Sequence, residues 1–470
     1  MSAFVIVYLT FSLTATLALL SEPYLRITSI GWFIGIWCLP YVGALFFFLA
    51  IVRHHKTKHT LHWHYNEINK ESDPIIAGKN STTKHVKKIN DLGKSYGFLP
   101  YFFTDLDKAE ILIDQQFIES LCKSIDRAQK RIWIATYILS GDVKKTVIEK
   151  LTAAHHRGVE VRLLVDRIGS FLVNPFSKSK KTFDHLPFAT EVFHKKLRYS
   201  LIFIDKRLHS KIAIIDDAGF IGAHNLRDAI LPDNKAFVSN VSLYFTGTVI
   251  TQLEAVFADL WQMNCGEQIM FSKGSETATT VANTTTNEQD SKQAFARINF
   301  SEPMVGSFNY NHYFTALFFR ARERILIWMP YFVPTQSMCS ALISASKLGL
   351  EVKVLIPIKT NFFLVDNSHQ LILRELTDNG VECAVSSAPF DHSKITIIDD
   401  LAIIGSTNLD HRSLFRNYEC NIEVYDRAFC HSLTSLFERR YRNAEVIKTV
   451  HISKIRNIYN QLTSMIAGLY

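Results

Sequence analysis

Two short runs hold residue types that together can do chemistry. Residues 209–226 read HSKIAIIDDAGFIGAHNL and residues 392–409 read HSKITIIDDLAIIGSTNL, with twelve of 18 positions identical at a constant offset of 183. Each run pairs a histidine with a lysine two positions on, His209 with Lys211 and His392 with Lys394. An aspartate follows, Asp216 or Asp399, and then a Gly-x-x-Asn tail ending in Asn225 or Asn408. These groups suit an anionic phosphoryl centre. A neutral imidazole attacks phosphorus as a nucleophile, and a protonated one donates to the leaving oxygen. Lysines and asparagine amides, fixed before reaction, hold the charge on the equatorial oxygens. The set requires no metal and no cofactor. A lone His-x-Lys in an isoleucine-rich strand is ordinarily an edge strand with a solvated face; two near-identical copies favour the chemical reading.

The elements that must position these residues repeat as well. On a strand, positions i and i+2 share a face, so each His-Lys pair is expected to project together, with Asp216 and Asp399 at the strand end where a turn begins. The glycines Gly222 and Gly405 let backbone approach closely. Upstream, each copy has an apolar run (Arg131–Leu139, Arg324–Phe332), a helix-like stretch (144–157, 337–348) and a second apolar run (158–166 GVEVRLLVD, 349–357 GLEVKVLIP). Strand, helix, strand predicts a parallel α/β sheet. The repeat implies two equivalent halves, over 96–265 and 298–450, each donating the same constellation to one shared site. Polar stretches at 56–95 and 266–297 read as linkers. The tail 451–470 carries Ile455, Ile458, Tyr459, Leu462, Ile466 and Leu469 at helical spacing beside Lys454 and Arg456, an amphipathic helix expected to pack against the body.

The chain has 470 residues, of which 47% are hydrophobic and 20% charged, which excludes global disorder. Its net charge of +8 mildly favours anionic partners. Seven cysteines without a C-x-x-C pair argue against a disulfide framework or structural zinc, and for a reducing compartment. Phe4–Leu20 and Ile30–Val52 carry no charge, and about 20 apolar residues cross a bilayer, so residues 1–55 read as a transmembrane hairpin. Met1-Ser2-Ala3 offers no basic start for a cleaved signal peptide. Arg53, Lys56 and Lys58 follow the second span, placing its exit and the catalytic body on the cytoplasmic side. His54, His55, His59, His62 and His64 have no accompanying cysteine or carboxylate cluster and read as a juxtamembrane segment at anionic headgroups. Lys178, Lys180, Lys181, Lys195, Lys196 and Arg198 form a cationic insertion before the first motif.

The two runs resemble the HxKxxxxD and GxxN motifs of the phospholipase D superfamily. The second continues as GSTNLDHRSLFRNYECN (405–421), similar to the signature of bacterial cardiolipin synthases, as are MPYFVP (329–334), AHHRGVEVRLLVD (154–166) and the LPYVG of the second span. The resemblance covers nearly the whole chain apart from the linkers. It implies a duplicated phospholipase D-like α/β/α sandwich forming one pseudo-two-fold body behind the membrane hairpin. It also implies that one of His209 and His392 forms a phosphohistidine while the other serves as general acid and base, with His209 favoured as nucleophile. Lys211, Lys394, Asn225 and Asn408 would bind phosphate, Glu419 would orient a catalytic histidine, and Asp216 and Asp399 would organise the motif loops within the catalytic set. The first copy departs from the pattern. It has FVSNVSL (237–243) where the second has Glu419, Ser239-Asn240 in place of an Arg-Asp pair, and His224 where a small residue is usual.

The implied reaction moves a phosphatidyl group from one phosphatidylglycerol to another, giving cardiolipin and glycerol in a bacterial inner membrane, with phosphatidylglycerol and other anionic phospholipids as partners and no nucleic acid. One phosphodiester replaces another, so no nucleotide energy source is needed, and no G-x-x-x-x-G-K-[ST] loop occurs. The alternatives are a hydrolytic phospholipase D, a nuclease of the same superfamily, and a membrane scaffold that kept the fold. The sequence is silent on oligomeric state.

Overall fold

A computed structural model describes residues 7–10, 12–16, 37, 81–96, 102–172, 183, 185–193, 206–269, 294–303, 307–387, 389–450, 453, 455–457, 459 and 460. The chain divides into two compact units, Met1–Lys70 and Glu71–Gly468. In the first, the Tyr8 hydroxyl donates to the Trp37 carbonyl at 2.9 Å, and Trp37 Nε1 donates to Thr16 Oγ1 at 3.1 Å. Among the described residues no helix is long and apolar enough to cross a membrane. Most of the two expected spans lies outside the described residues, as do the juxtamembrane histidines and the cationic insertion.

The second unit is built on two large sheets, with a two-stranded ribbon of Val238–Ser239 and Phe390–Asp391 between the halves. In the first half, β1 (Lys108–Ile113), β2 (Arg131–Thr136), β3 (Glu160–Asp166), β4 (Ala189–Phe193), β5 (Ile212–Ile215), β6 (Ala218–Gly222) and β7 (Val241–Thr246) lie in the order β1-β7-β6-β5-β2-β3-β4. The second half has β8 (Phe295–Ser301), β9 (Arg324–Trp328), β10 (Glu351–Pro357), β11 (Glu382–Ser386), β12 (Ile395–Ile398), β13 (Leu401–Gly405) and β14 (Glu419–Tyr425), in the matching order β8-β14-β13-β12-β9-β10-β11. Thr104–Asp105 and Glu445–Ile447 extend this second sheet at its two edges.

The expected strand-helix-strand units are present, and their pairs β2–β3 and β9–β10 are parallel. The sheets as a whole are mixed, which corrects the parallel expectation. The motif strands β5 and β6 pair antiparallel, as do β12 and β13. Two-residue Asp-Asp turns join them, and a turn that short connects only antiparallel strands.

Helices α1 (Gln115–Arg127) and α2 (Gly141–His156) pack on the first sheet through an outer apolar cluster that includes Leu121, Val147 and Leu151. Between the halves runs α3 (Ile250–Cys265). On the outer face of the second sheet lie α4 (Ser307–Arg320), α5 (Gln336–Lys347) and α6 (Phe363–Asp378). Among the described residues the last long helix is α7 (Arg427–Arg442). The inward faces of both sheets, together with α3 and α7, bury one shared core. Period-2 alternation assigns the residues of β5: Ile212 and Ile214 enter the shared core, while Ala213 and Ile215 enter the outer cluster. Trp133 stacks on Phe257, and Phe257 on Trp261, with centroids 5.4 and 5.9 Å apart. Each such burial contributes about 1.5–3 kcal/mol, so the core ties the motif strands of both halves into one body.

Candidate active site

The His-x-Lys triplets lie just before β5 and β12, outside the regular strands. Their backbone is bonded across the two halves, and in the second copy the lysine and histidine side chains meet, as the i, i+2 spacing predicts. The amides of His209 and Ser210 both donate to the Tyr418 carbonyl, at 3.0 and 2.9 Å, and the His392 amide donates to the Ser239 carbonyl at 2.8 Å. Behind His209, the buried Asp166 at the end of β3 pairs with Arg207 at 2.7 Å and accepts from the Leu208 amide at 3.1 Å.

Each imidazole is held by a side chain of the other half. His209 Nδ1 lies 2.9 and 3.0 Å from the two oxygens of Glu419. Glu419 is fully buried and also accepts from Ser406 Oγ at 2.5 Å and Asn417 Nδ2 at 3.2 Å. His392 Nδ1 lies 3.2 Å from Asn240 Oδ1. The Asn240 amide donates to the Val238 carbonyl at 2.8 Å, which turns its oxygen to the ring. Nδ1 of His392 therefore carries the proton, and Nε2 presents a lone pair that Lys394 Nζ meets at 3.0 Å. Tyr137 stands edge-on to His209 and Tyr331 edge-on to His392, with centroids 5.2 and 5.9 Å apart.

The four motif groups share one electrostatic field. Burial lowers both imidazoles well below their ordinary value; Lys211, Lys394 and Arg412 add to this at His209, and Lys394, Lys211 and His209 at His392. Burial, with Lys211 nearby, also takes Lys394 well below the usual lysine range. Lys211 is brought down to about 7 and Glu419 raised to about 7, again chiefly by burial. Buried cations gathered beside two buried imidazoles suit a site arranged around an anion. The buried amides of Asn225 and Asn408 belong to the same motifs, and each keeps an oxygen without a hydrogen-bond partner among the described residues.

Asp216 and Asp399 bind backbone amides of the loops ahead of β2 and β9. Asp216 accepts from the amides of Gln129, Lys130 and Arg131 at 2.9, 2.8 and 3.0 Å. Asp399 likewise accepts from Arg322, Glu323 and Arg324 at 3.0, 2.9 and 3.1 Å. Both open the hairpin turns at positive φ, 49° and 53°, which a short polar side chain tolerates. At about 3.3 Å per residue, a strand carries position i+7 to the end away from the histidine. Their work is to tie the motif hairpin to the loop ahead of β2 or β9. Gly222 and Gly405 admit a neighbouring strand: an added Cβ would lie 2.5 Å from Ser242 Cα or 2.4 Å from the Cys420 carbonyl. His224 stacks on Phe117 at 4.5 Å and bonds Ser242 Oγ through Nδ1 at 2.7 Å, a buried packing role.

Sequence reasoning gave no individual role to Asn240, Asp166, Arg207, Ser406, Asn417, Tyr137 and Tyr331. Asp166, Tyr331, Ser406 and Asn417 lie inside the family-like runs quoted above, and Asn240 is a neutral residue in a position expected to be acidic.

A family model described as "Cardiolipin synthase, PLD-like domain" matches residues 121–261 and 314–441, together more than half of the chain. Cardiolipin synthase 2 of Bacillus cereus is 27% identical over 384 residues, covering 79% of this chain and 72% of that protein. Cardiolipin synthase of Geobacillus kaustophilus is 25% identical over 436 residues, covering 89% and 84%. The crystal structure of phosphatidylserine synthase from Haemophilus influenzae superposes with a TM-score of 0.58 at 13% identity, over 83% of this chain and 99% of that one, a likeness of fold. With the family model matched once in each half, around the two motif hairpins, the chain belongs to the cardiolipin synthase family of phospholipase D-like domains.

Proposed function

We propose that this chain is a membrane-bound cardiolipin synthase, moving a phosphatidyl group between two phosphatidylglycerols through a phosphohistidine and releasing glycerol. The observation that carries the reading is the reciprocal holding of two imidazoles, each by a side chain of the opposite half.

His209 Nε2 attacks phosphorus and the bond to the glycerol oxygen breaks. Glu419 holds the Nδ1 proton and offsets the positive charge of the phosphorylated ring. His392, once protonated at Nε2, gives that proton to the departing oxygen. In the second half-reaction His392 takes the proton of an incoming phosphatidylglycerol hydroxyl. That oxygen bonds to phosphorus, the P–N bond breaks, and His209 is restored. Lys211, Lys394, Asn225 and Asn408 hold the equatorial oxygens throughout.

Water competes as acceptor, so exclusion of water and supply of lipid decide between transfer and hydrolysis. The apolar segments Phe4–Leu20 and Ile30–Val52 support a hairpin that keeps the site at its insoluble substrate, with the catalytic body on the cytoplasmic side. The matching strand orders support descent of the halves 96–265 and 298–450 from a duplicated unit.

Expression in a bacterium lacking cardiolipin, followed by lipid mass spectrometry, tests the reading. Cardiolipin is expected from the native chain and none from the His209→Ala, His392→Ala double variant. Phosphatidic acid without cardiolipin would assign a hydrolase instead.

A further inference from the structure

The loop after β10 holds its apolar side chains out in water by construction. Thr360 Oγ1 donates to the Phe362 carbonyl at 3.0 Å and accepts from the Phe362 amide at 3.1 Å, while the Thr360 amide donates to Asp366 at 2.8 Å. Ile358 is 58% exposed, Phe362 53% and Phe363 64%. The C-terminal segment adds to the same surface. Phe363, Asn367 and Gln370 form one stripe of α6, at spacing i, i+4, i+7. Arg456 Nη2 donates to Asn367 Oδ1 and Asn460 Nδ2 to Gln370 Oε1, both at 2.9 Å. Arg456 and Asn460 thus face α6. Their neighbours Ile455 and Tyr459, about a quarter-turn around the same helical segment, are 83% and 45% exposed. Polar side chains of this segment meet α6, and the apolar Ile455 and Tyr459 beside them stay uncovered.

This surface reaches the site through one ring. Tyr331 lies 5.8 Å from Phe362 and 5.9 Å from His392, centroid to centroid. Aromatic and aliphatic side chains beside the cations Lys359 and Arg456 match the composition of surfaces that rest in anionic headgroups. A second copy laid face to face would instead oppose these cations to their own counterparts.

We propose that Ile358, Phe362, Phe363, Ile455 and Tyr459 dock on an anionic phospholipid bilayer and deliver lipid headgroups to the His392 side of the site. This rests on the cardiolipin synthase reading and deepens it. If His209 is the nucleophile, the in-line geometry puts both the leaving glycerol and the incoming hydroxyl beside His392, so the surface supplies the acceptor lipid.

Full-length Phe363→Trp protein, reconstituted in phosphatidylcholine vesicles containing phosphatidylglycerol brominated on its acyl chains, tests the surface. The emission added relative to the native chain is expected to be quenched. The emission added by Leu348→Trp, an exposed residue just past α5 and outside the surface, is expected to persist. The Phe363→Ser, Ile455→Ser variant is expected to raise the ratio of phosphatidic acid to cardiolipin several-fold. Unquenched added emission from the Phe363→Trp protein, or an oxidised dimer formed through Phe363→Cys, overturns the proposal, the latter assigning the surface to a second copy. Glycerol release by the native chain is read separately. Its loss would sink the catalytic reading, whereas its persistence beside unquenched emission would sink the docking surface alone.

Discussion

The two histidines stand in equivalent places of matching hairpins, and their surroundings differ by one charge. Around His209, Glu419 is a buried carboxylate that needs several donors, and Ser406 and Asn417 supply them. The equivalent positions beside His392 hold Asn240, Ala223 and Val238, with the Val238 carbonyl accepting from the Asn240 amide. A carboxylate neutralises a positively charged ring; an amide orients the ring and leaves its charge uncompensated. The first arrangement favours a phosphorylated imidazolium, the second a ring that gives up its proton readily. In the proposed mechanism this neutral-for-charged exchange would make one copy of the fold the nucleophile side and the other the acid side.

The comparison breaks most sharply at the histidines themselves. His209→Ala and His392→Ala are each expected to lower cardiolipin formation by roughly 10⁴-fold or more. Only His392→Ala should accumulate an acid-labile phosphoenzyme from phosphorus-labelled phosphatidylglycerol, and a phosphoenzyme in His209→Ala would reverse the assignment. Next come the orienting residues. Glu419→Gln is expected to cost about 10²–10⁴-fold in kcat, since it loses both tautomer control and charge compensation. Asn240→Ala should cost roughly tenfold, a loss of orientation alone, well below the range for removing a proton-transfer group. Asn240→Asp places an opposite charge beside His392 and should raise its pKa, read by NMR titration of the imidazole. An unmoved titration would show that the side chain at 240 does not face the ring.

Protonation sharpens the contrast further. With Glu419 raised to about 7, its carboxylate is lost as pH falls below that value, so activity should fall on the acid side. Lys211, lowered to about 7, loses its charge as pH rises, so anion binding should weaken on the alkaline side. A bell-shaped profile centred near 7 is the expectation. Inorganic phosphate binding should draw protons onto the lysines, measurable by calorimetry in buffers of different ionisation enthalpy. Release of protons would contradict the depressed lysines. The smallest effects belong to the part that is truly symmetric. Asp216→Ala and Asp399→Ala should each cost about 1–2 kcal/mol in thermal unfolding, with little change in KM. Unequal costs would show that the two hairpins are not anchored alike.

Much of this architecture was legible in the chain itself. The 18-residue repeat, its offset and the strand-helix-strand order ahead of each copy predicted two equivalent halves, and the sheets share one strand order. The same logic overreached where it treated the motifs as regular strands. His209 and Ser210 sit in a lead-in bonded to Tyr418 of the other half, before β5 begins, whereas Asp216 stands at the strand end where the turn begins, as its spacing predicted.

The sequence by itself determined which groups are available and that they come in duplicate, because side-chain type and strand periodicity are local properties. Tertiary structure alone decided the partnerships. Glu419 meets His209 across 210 positions of chain, and Asn240 meets His392 across 152. Such contacts arise only when two sheets bury a common core, since burial of apolar faces, and not the spacing of polar residues, sets how the halves lie against each other.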